Sequence, residues 1–419
     1  MKILLATRGS NGDIMPYLNL ASELEKRGHE VLVNLPKVFE KDIRPYQLEY
    51  VLQEFEDING MINQADNEDK SFGVKTLLDW VKDSINKQVE QMIPLVEACD
   101  LYITTNTEFA ASTIAEYCQK PFIRTAYAPF LPGKKIPPPL LPYTREDNFL
   151  VPLVWKLLNG PTDLMMKGVI NKNRKELGLA PLKSLTTHSV SQAFNILMYS
   201  PSLGGVDPTW KWNWDITGYC FNDSFKYDTE AYGQLMDFIK QDRRPTLFFT
   251  FGSCSSDNGE RFLHYLSDIV RRNGYKMIVG SGWSNIAQHV KEGMDHIFAM
   301  KNAIPHNLIF HECDAVIHHG GSGTTHNVAR HGKPQMLVPL LLDQYYWGKR
   351  VQKLGIGPAP AKISKISKHE LERRVVDLMT NLSYKAKAAE MGKMIAREKA
   401  IDKFCDLLYS VKGIPKKAV

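Results

Sequence analysis

The sequence predicts an α/β protein of two doubly wound domains facing each other across a cleft. Two observations predict it. Short apolar runs alternate with segments of helical period, in two separate series, the order that a parallel sheet with both faces covered requires. The length, 419 residues, exceeds what one ordinary core serves and suits two domains of roughly 200 residues each.

The first series opens with Lys2–Thr7 as a buried strand and Gly9–Asp13 as a loop. Met15–Arg27 follows as a helix, with Leu18, Leu20, Ala21 and Leu24 at helical spacing and Gly28 as its stop. His29–Asn34, Asp100–Thr105 and Pro121–Ala126 read as further strands, with a helix around Ala110–Tyr117. Between Pro129 and Pro181 the rhythm breaks. Pro132, Pro137, Pro138, Pro139 and Pro142 exclude regular helix and central strand. An apolar stretch, Phe149–Leu158, comes next, then a basic helix around Lys172–Leu177.

Pro201–Asp215 reads as the approach to a linker. The second series places strands at Thr246–Phe251, Lys276–Val279, Ile297–Ala299, Ala315–His318 and Gln335–Pro339. A last helical pattern, Ile395–Val411, is placed back against the first domain. The boundaries drawn are 1–219, 220–394 and 395–419.

Composition narrows the class. With 43% hydrophobic and 23% charged residues the chain is globular, neither disordered nor membrane-spanning. A net charge of +6 suits phosphate-bearing ligands or an anionic membrane surface, and equally an ordinary surface imbalance. It is too small and scattered to point to nucleic acid. Six separated cysteines without a CxxC pair fit free thiols in a reducing compartment. The first apolar run is too short for a signal-peptide core, and no apolar stretch approaches the roughly 20 residues that cross a bilayer. A cytoplasmic location is expected.

The most informative stretch is His318-His319-Gly320-Gly321-Ser322-Gly323-Thr324-Thr325, between a strand and a helix that ends near Gly332. Small residues let a ligand approach the backbone, and the first helical amides and the helix dipole favour an anion. A tight turn needing glycine only for packing explains the same residues. The spacing is neither the GxGxxG dinucleotide fingerprint nor a Walker loop. Eighteen residues past Thr325 stand Asp343 and Gln344, at the end of the next strand. Asp343 suits a helix N-cap, and the pair suits hydrogen bonds to sugar hydroxyls. The order phosphate loop, strand, Asp-Gln favours the second reading.

His318–Pro358 closely resembles the donor-binding signature of the UDP-glycosyltransferase superfamily. The nearest branch is that of the sterol 3-beta-glucosyltransferases and the bacterial glycosyltransferases of antibiotic aglycones. Gly9-Ser10-Asn11-Gly12-Asp13 with Pro16, Thr250–Ser253, Gly282-Trp283 and Ala303–His306 resemble that branch too. The resemblance implies the GT-B fold, two Rossmann-like domains with the acceptor site in the first and the donor site in the second. It implies that His318, Ser253 and the turn Gly320, Gly321, Ser322, Gly323, Thr324 and Thr325 hold a diphosphate. Asp343 and Gln344 would hold the sugar, and Trp283, Ile304 and His306 would lie near the nucleobase. Ser10, Asn11 and Gly12 become the acceptor loop, and Asp13 the general base; a loop aspartate capping the next helix is the alternative, and the two roles are compatible at a cleft edge. Asn11 stands where the branch commonly has arginine, and His326 where plant relatives have a ribose-binding glutamate.

The implied reaction is inverting transfer of a hexose from a nucleotide sugar, UDP-glucose first, to a hydroxyl of a sterol, terpenoid or polyphenol. The chain contains no DxD triplet, in agreement with a donor site that needs no metal or other cofactor. A dTDP- or other nucleotide-sugar donor, or a UDP-N-acetylglucosamine 2-epimerase-like isomerase, are the alternatives. Phe130, Leu131, Leu140, Leu141, Leu153, Val154 and Trp155 are available to line an apolar acceptor cleft or to complete the first core. The same region, with Lys172, Arg174 and Lys175 nearby, leaves open a weak peripheral contact with a membrane.

Overall fold

The computed structural model describes residues 1–53, 74–141, 146–223, 227–252, 258–280, 286–290, 293–302, 304–411 and 414. Ser253, Cys254 and Trp283 lie outside the described residues. The first sheet holds β1 (Lys2–Ala6), β2 (Glu30–Pro36), β3 (Glu49–Gln53), β4 (Leu101–Thr105), β5 (Phe122–Ala126), β6 (Phe194–Leu197) and β7 (Trp214–Ile216), in the order β3-β2-β1-β4-β5-β6-β7. The second holds β8 (Thr246–Thr250), β9 (Lys276–Val279), β10 (Ile297–Ala299), β11 (Ala315–His318) and β12 (Gln335–Leu337), in the order β10-β9-β8-β11-β12. Neighbouring strands in both sheets are parallel, so both faces need helical cover, and runs such as Leu101–Thr105 and Thr246–Thr250 are buried throughout.

The described helices of more than one turn are α1 (Asn11–Lys26), α2 (Val74–Glu97), α3 (Ala111–Tyr117), α4 (Val151–Glu176), α5 (Leu185–Gln192), α6 (Thr229–Lys240), α7 (Gly259–Arg272), α8 (Ser322–Arg330), α9 (Gln344–Leu354), α10 (Lys368–Thr380), α11 (Leu382–Ala396) and α12 (Ala400–Leu408). In each sheet the strand order reverses once, between β1 and β4 and between β8 and β11. Crevices outside the carboxyl ends of such strand pairs are where open α/β sheets bind ligands. The loops that leave these four strands begin at Thr7, Asn106, Phe251 and His319.

Five hydrophobic clusters hold the described residues together, and three of them position the site. Ile3, Leu18, Val33 and Ile103 build the first, and Leu247, Phe262, Val279 and Ile317 belong to the second. A third crosses between the domains, joining Leu131, Ile136 and Tyr199 to Trp347, Val351 and Ile395. α12 returns to the first core through Phe404, Cys405 and Leu408. Arg27 pairs with Asp402 there, and Lys403 Nζ donates to the Ile216 carbonyl at 2.6 Å. Each such fully buried side chain stabilises by about 1.5–3 kcal/mol.

Three differences from the sequence reading have physical causes. α1 starts at Asn11, with Ser10 as N-cap, so Asp13 lies inside the first turn and not ahead of the helix. The apolar stretch Phe149–Leu158 and the basic helix around Lys172–Leu177 largely join in one 26-residue helix, α4 (Val151–Glu176). Pro152 sits in its first turn, where the missing amide costs nothing, and Pro161 is tolerated because Trp155, Met166 and Ile170 on either side are buried. Pro201–Asp215 is not a free connector. It leads into edge strand β7, Trp210 Nε1 donates to the Leu131 carbonyl at 2.9 Å, and Arg350 on α9 donates to the carbonyls of Leu203 and Gly204.

Candidate active site

The first domain brings the start of α1 to the cleft. Gly9 turns with φ +131°, and a Cβ there would fall 2.3 Å from Asp13 Oδ2, so only glycine lets the chain fold over that carboxylate. Asp13 Oδ2 accepts from the Ser10 amide at 2.8 Å and the Ser10 hydroxyl at 3.2 Å. The capping role read from the sequence is present, performed from within the helix. The Asp13 carbonyl accepts from Tyr127 Oη at 2.9 Å, which fixes the turn from β5's end. Arg8 just before it is buried and pairs with Glu108, and it donates to Ser84 Oγ at 2.6 Å.

The second domain brings the start of α8 to the same place. Gly12 and Gly323 touch: a Cβ on Gly323 would stand 3.5 Å from Gly12 Cα and 2.8 Å from Tyr219 Oη. Two helix N-termini, one from each domain, therefore converge. The amides of Ser322, Gly323 and Thr324 have no acceptor within α8, and the positive ends of both helix dipoles point to one region.

The side chains of the glycine-rich turn divide into those that build it and those at its surface. His318 is fully enclosed. Its Nδ1 accepts from the Gly320 amide at 3.1 Å, so Nε2 carries the proton and donates to Gln335 Oε1 at 2.8 Å. Gln335 Nε2 in turn donates to the Thr325 carbonyl. Thr325 Oγ1 donates to the Gly321 carbonyl, and Ser322 Oγ crosses the domains to the Tyr127 carbonyl at 2.9 Å. Thr324 is half-exposed. His319 lies between Gly252 and Gly321, its ring 2.5 Å from the Cβ positions of both, and its Nδ1 has no hydrogen-bond partner among the described residues. Burial, with His306 as a neighbour, lowers its pKa to about 4; burial, with His319 as a neighbour, lowers that of His318 to about 3. Both rings are neutral at physiological pH.

Gly320, at φ +98°, lets the turn close onto α9: a Cβ there would lie 2.8 Å from Leu337 and 3.3 Å from Gln344 Cβ. Asp343 is half-buried at the N-cap of α9, and its Oδ2 accepts from Trp347 Nε1 at 2.9 Å. Burial raises its pKa to about 6. Gln344 Oε1 accepts from the amides of Leu340 and Leu341 and so shapes the loop in which Leu342 takes a left-handed conformation. Ile304 is buried, and half-buried His306 stacks on Phe310 at 4.5 Å, both at the far side of the second sheet's core.

A family profile described as "Erythromycin biosynthesis protein CIII-like, C-terminal domain" matches residues 288–402. A sterol 3-beta-glucosyltransferase of Arabidopsis thaliana is 26% identical over 98% of this chain and 68% of its own length. Vancomycin aglycone glucosyltransferase of Amycolatopsis orientalis is 26% identical over 86% of each chain. The crystallised glycosyltransferase of kitacinnamycin superposes with a TM-score of 0.73 at 14% identity over 99% of both chains, and the calicheamicin glycosyltransferase CalG4 with 0.70 at 16% over 98% and 97%. The chain has the GT-B fold, two parallel-sheet α/β domains. It spans about two thirds of its plant relatives and, for Komagataella phaffii, 35% of the relative's length.

The fold thus gathers Ser10, Asn11, Gly12, Asp13, the 319–325 turn, Asp343 and Gln344 around one interdomain crevice. His326 is not at its surface. It accepts from the Ser200 amide at 3.1 Å, donates to the Ser322 carbonyl at 2.7 Å, and stacks on Tyr219 at 4.7 Å. The apolar residues available for an acceptor wall are not brought together: Leu131 and Trp155 are buried, and Leu153 faces solvent. The sequence reading missed His319, Tyr127, Tyr219 and Trp347. For Trp347 a signal existed, since it stands four residues after Asp343 on one helix face. For His319 the signal was its position as first residue beyond the strand.

Proposed function

We propose that the protein is a glycosyltransferase that moves glucose from UDP-glucose to the hydroxyl of an apolar acceptor of sterol-like size, with inversion at the anomeric carbon. The observation that carries the reading is the meeting of Gly12 with Gly323, which sets the Asp13 turn beside the α8 amides. The donor's diphosphate fits that doubly positive junction, where fixed donors stabilise the charge that develops as the nucleotide leaves. His319, neutral and between the two glycine loops, is the side chain we assign to the diphosphate; His318 supports the loop from below. Asp13 takes the acceptor's proton as its oxygen attacks, and Ser10 holds the carboxylate in place. Asp343 and Gln344 orient the sugar, and no metal is required.

The similarity to a sterol 3-beta-glucosyltransferase and to vancomycin aglycone glucosyltransferase supports glucose and a sterol or aglycone acceptor. A solved structure of the same fold, VinC, holds dTDP, so thymidine donors are the second reading. Incubation with UDP-glucose or dTDP-glucose and a mixed panel of sterols, polyphenols, sugars and peptides, read by mass spectrometry, tests the proposal. A β-glucoside of a sterol or polyphenol formed from UDP-glucose is the expected product. Preferential glycosylation of sugars or peptides, or turnover with dTDP-glucose alone, overturns it.

A further inference from the structure

One helix face in the first domain is inverted with respect to ordinary amphipathic design. α4 buries Val151, Trp155, Met166 and Ile170 against the protein, as a covering helix should. Its outer face, however, is apolar too. Phe149, just before the helix, is 88% exposed, and Leu153, Leu157 and Leu164 are 50%, 64% and 83% exposed. They recur at three- to four-residue spacing, joined by exposed Gly160 and Pro161, and so form one stripe along four turns. Such contiguous apolar surface marks an interaction site in a soluble chain, whereas singly scattered leucines do not.

The charges around the stripe say what it meets. Lys156 lies within it, and Lys172 and Lys175 follow on exposed positions farther along the helix. Between Phe149 and Lys175 the sequence has one acid, Asp163, and its Oδ1 faces inward to accept from the Leu185 amide at 2.8 Å. The acid before the stripe, Asp147, is paired with Lys135 at 3.1 Å, and the one after it, Glu176, lies 4.0 Å from Lys172. The face is therefore apolar and basic without an opposing free carboxylate. A protein partner of ordinary composition gives no reason for that combination, but an anionic bilayer does. Leucine and phenylalanine enter the acyl boundary while lysine ammonium groups stay among the headgroups. Among the described residues no helix is long and apolar enough to cross a membrane, so α4 would lie on the surface.

We propose that the outer face of α4 docks the protein on anionic lipid bilayers, through Phe149, Leu153, Leu157 and Leu164 and the flanking lysines. The docking needs neither nucleotide sugar nor acceptor, so it is independent of the reaction proposed above. Co-sedimentation of the full chain with phosphatidylcholine vesicles, with and without phosphatidylserine, tests it in the absence of substrates. Binding to the phosphatidylserine vesicles is expected, with the lysines making neutral vesicles at least about tenfold weaker. Phe149→Ser, Leu153→Gln, Leu157→Gln and Leu164→Gln combined should lower the partition coefficient by about 100-fold or more, taking roughly tenfold for each of two fully inserted side chains. These side chains are exposed, so the variant's circular dichroism and melting curve should match those of the parent. Equal sedimentation of parent and variant, or no binding to phosphatidylserine vesicles, overturns the proposal. So does light scattering that shows a dimer in the parent and a monomer in the variant without any vesicle binding, because a second copy would then cover the face.

Discussion

Mild acid should destabilise this protein through its buried histidines. His318, His319 and His326 are almost fully enclosed, and burial lowers their pKa values from 6.5 to about 3, 4 and 4. The unfolded rings titrate normally, so below their ordinary pKa the unfolded state binds more protons, and stability falls with pH. The contribution is complete above pH 6.5 and is lost towards pH 4. Between pH 7 and 5.5 each ring costs about 1.2 kcal/mol, together about 3–4 kcal/mol. Asp343 works in the opposite direction. Its pKa is raised to about 6 by burial, so its folded form gains a proton first and returns about 1 kcal/mol over the same interval. A net loss of about 2–3 kcal/mol is expected, read as a lower urea midpoint by tryptophan fluorescence at pH 5.5 than at pH 7. His326→Gln should reduce that pH dependence by about 1 kcal/mol. A midpoint that stays constant or rises at pH 5.5 refutes the reasoning, because it would mean that the rings are hydrated or already charged in the folded state.

His319→Ala should weaken UDP binding by about tenfold in calorimetry, the scale of a lost hydrogen bond to a charged group, with little change in melting temperature. His318→Ala should instead lower the melting temperature, since the Gly320 amide and Gln335 lose a shared partner; UDP weakening without any loss of stability would reverse the two assignments. Asp343→Ala should leave UDP affinity within about twofold and depress transfer, and equal losses of both would move Asp343 from the sugar to the diphosphate. Activity should survive EDTA, and loss that added Mg²⁺ restores would show a metal-dependent donor site.

Much of this architecture was legible because it rests on local signals. The strands β1, β8, β11 and β12 are short apolar runs ended by glycine or proline, and their loops carry the donor signature directly. What escaped depends on long-range packing. β3, β6 and β7 are short and gain their identity only from neighbours in the sheet. α4 contains Pro161, and its persistence follows from buried Trp155 and Met166, which no local propensity encodes. In the site, the residue types were readable but their directions were not. Of two consecutive histidines, one must point below the loop and one along it, and the choice is made by Gln335, seventeen residues away from His318. Likewise the contact of Gly12 with Gly323 joins two domains and leaves no pattern in either segment.

In the proposed reaction Asp13, held at the meeting point of the two helix N-termini, removes the acceptor's proton. Asp13→Asn tests it most directly, because the amide oxygen can still accept from the Ser10 amide while the side chain can no longer take a proton. UDP affinity by calorimetry should remain within about twofold of the parent, and turnover with UDP-glucose and a sterol acceptor should fall by about 10²–10⁴-fold. Turnover near that of the parent, with UDP binding intact, would contradict the account and leave Asp13 as a helix cap alone.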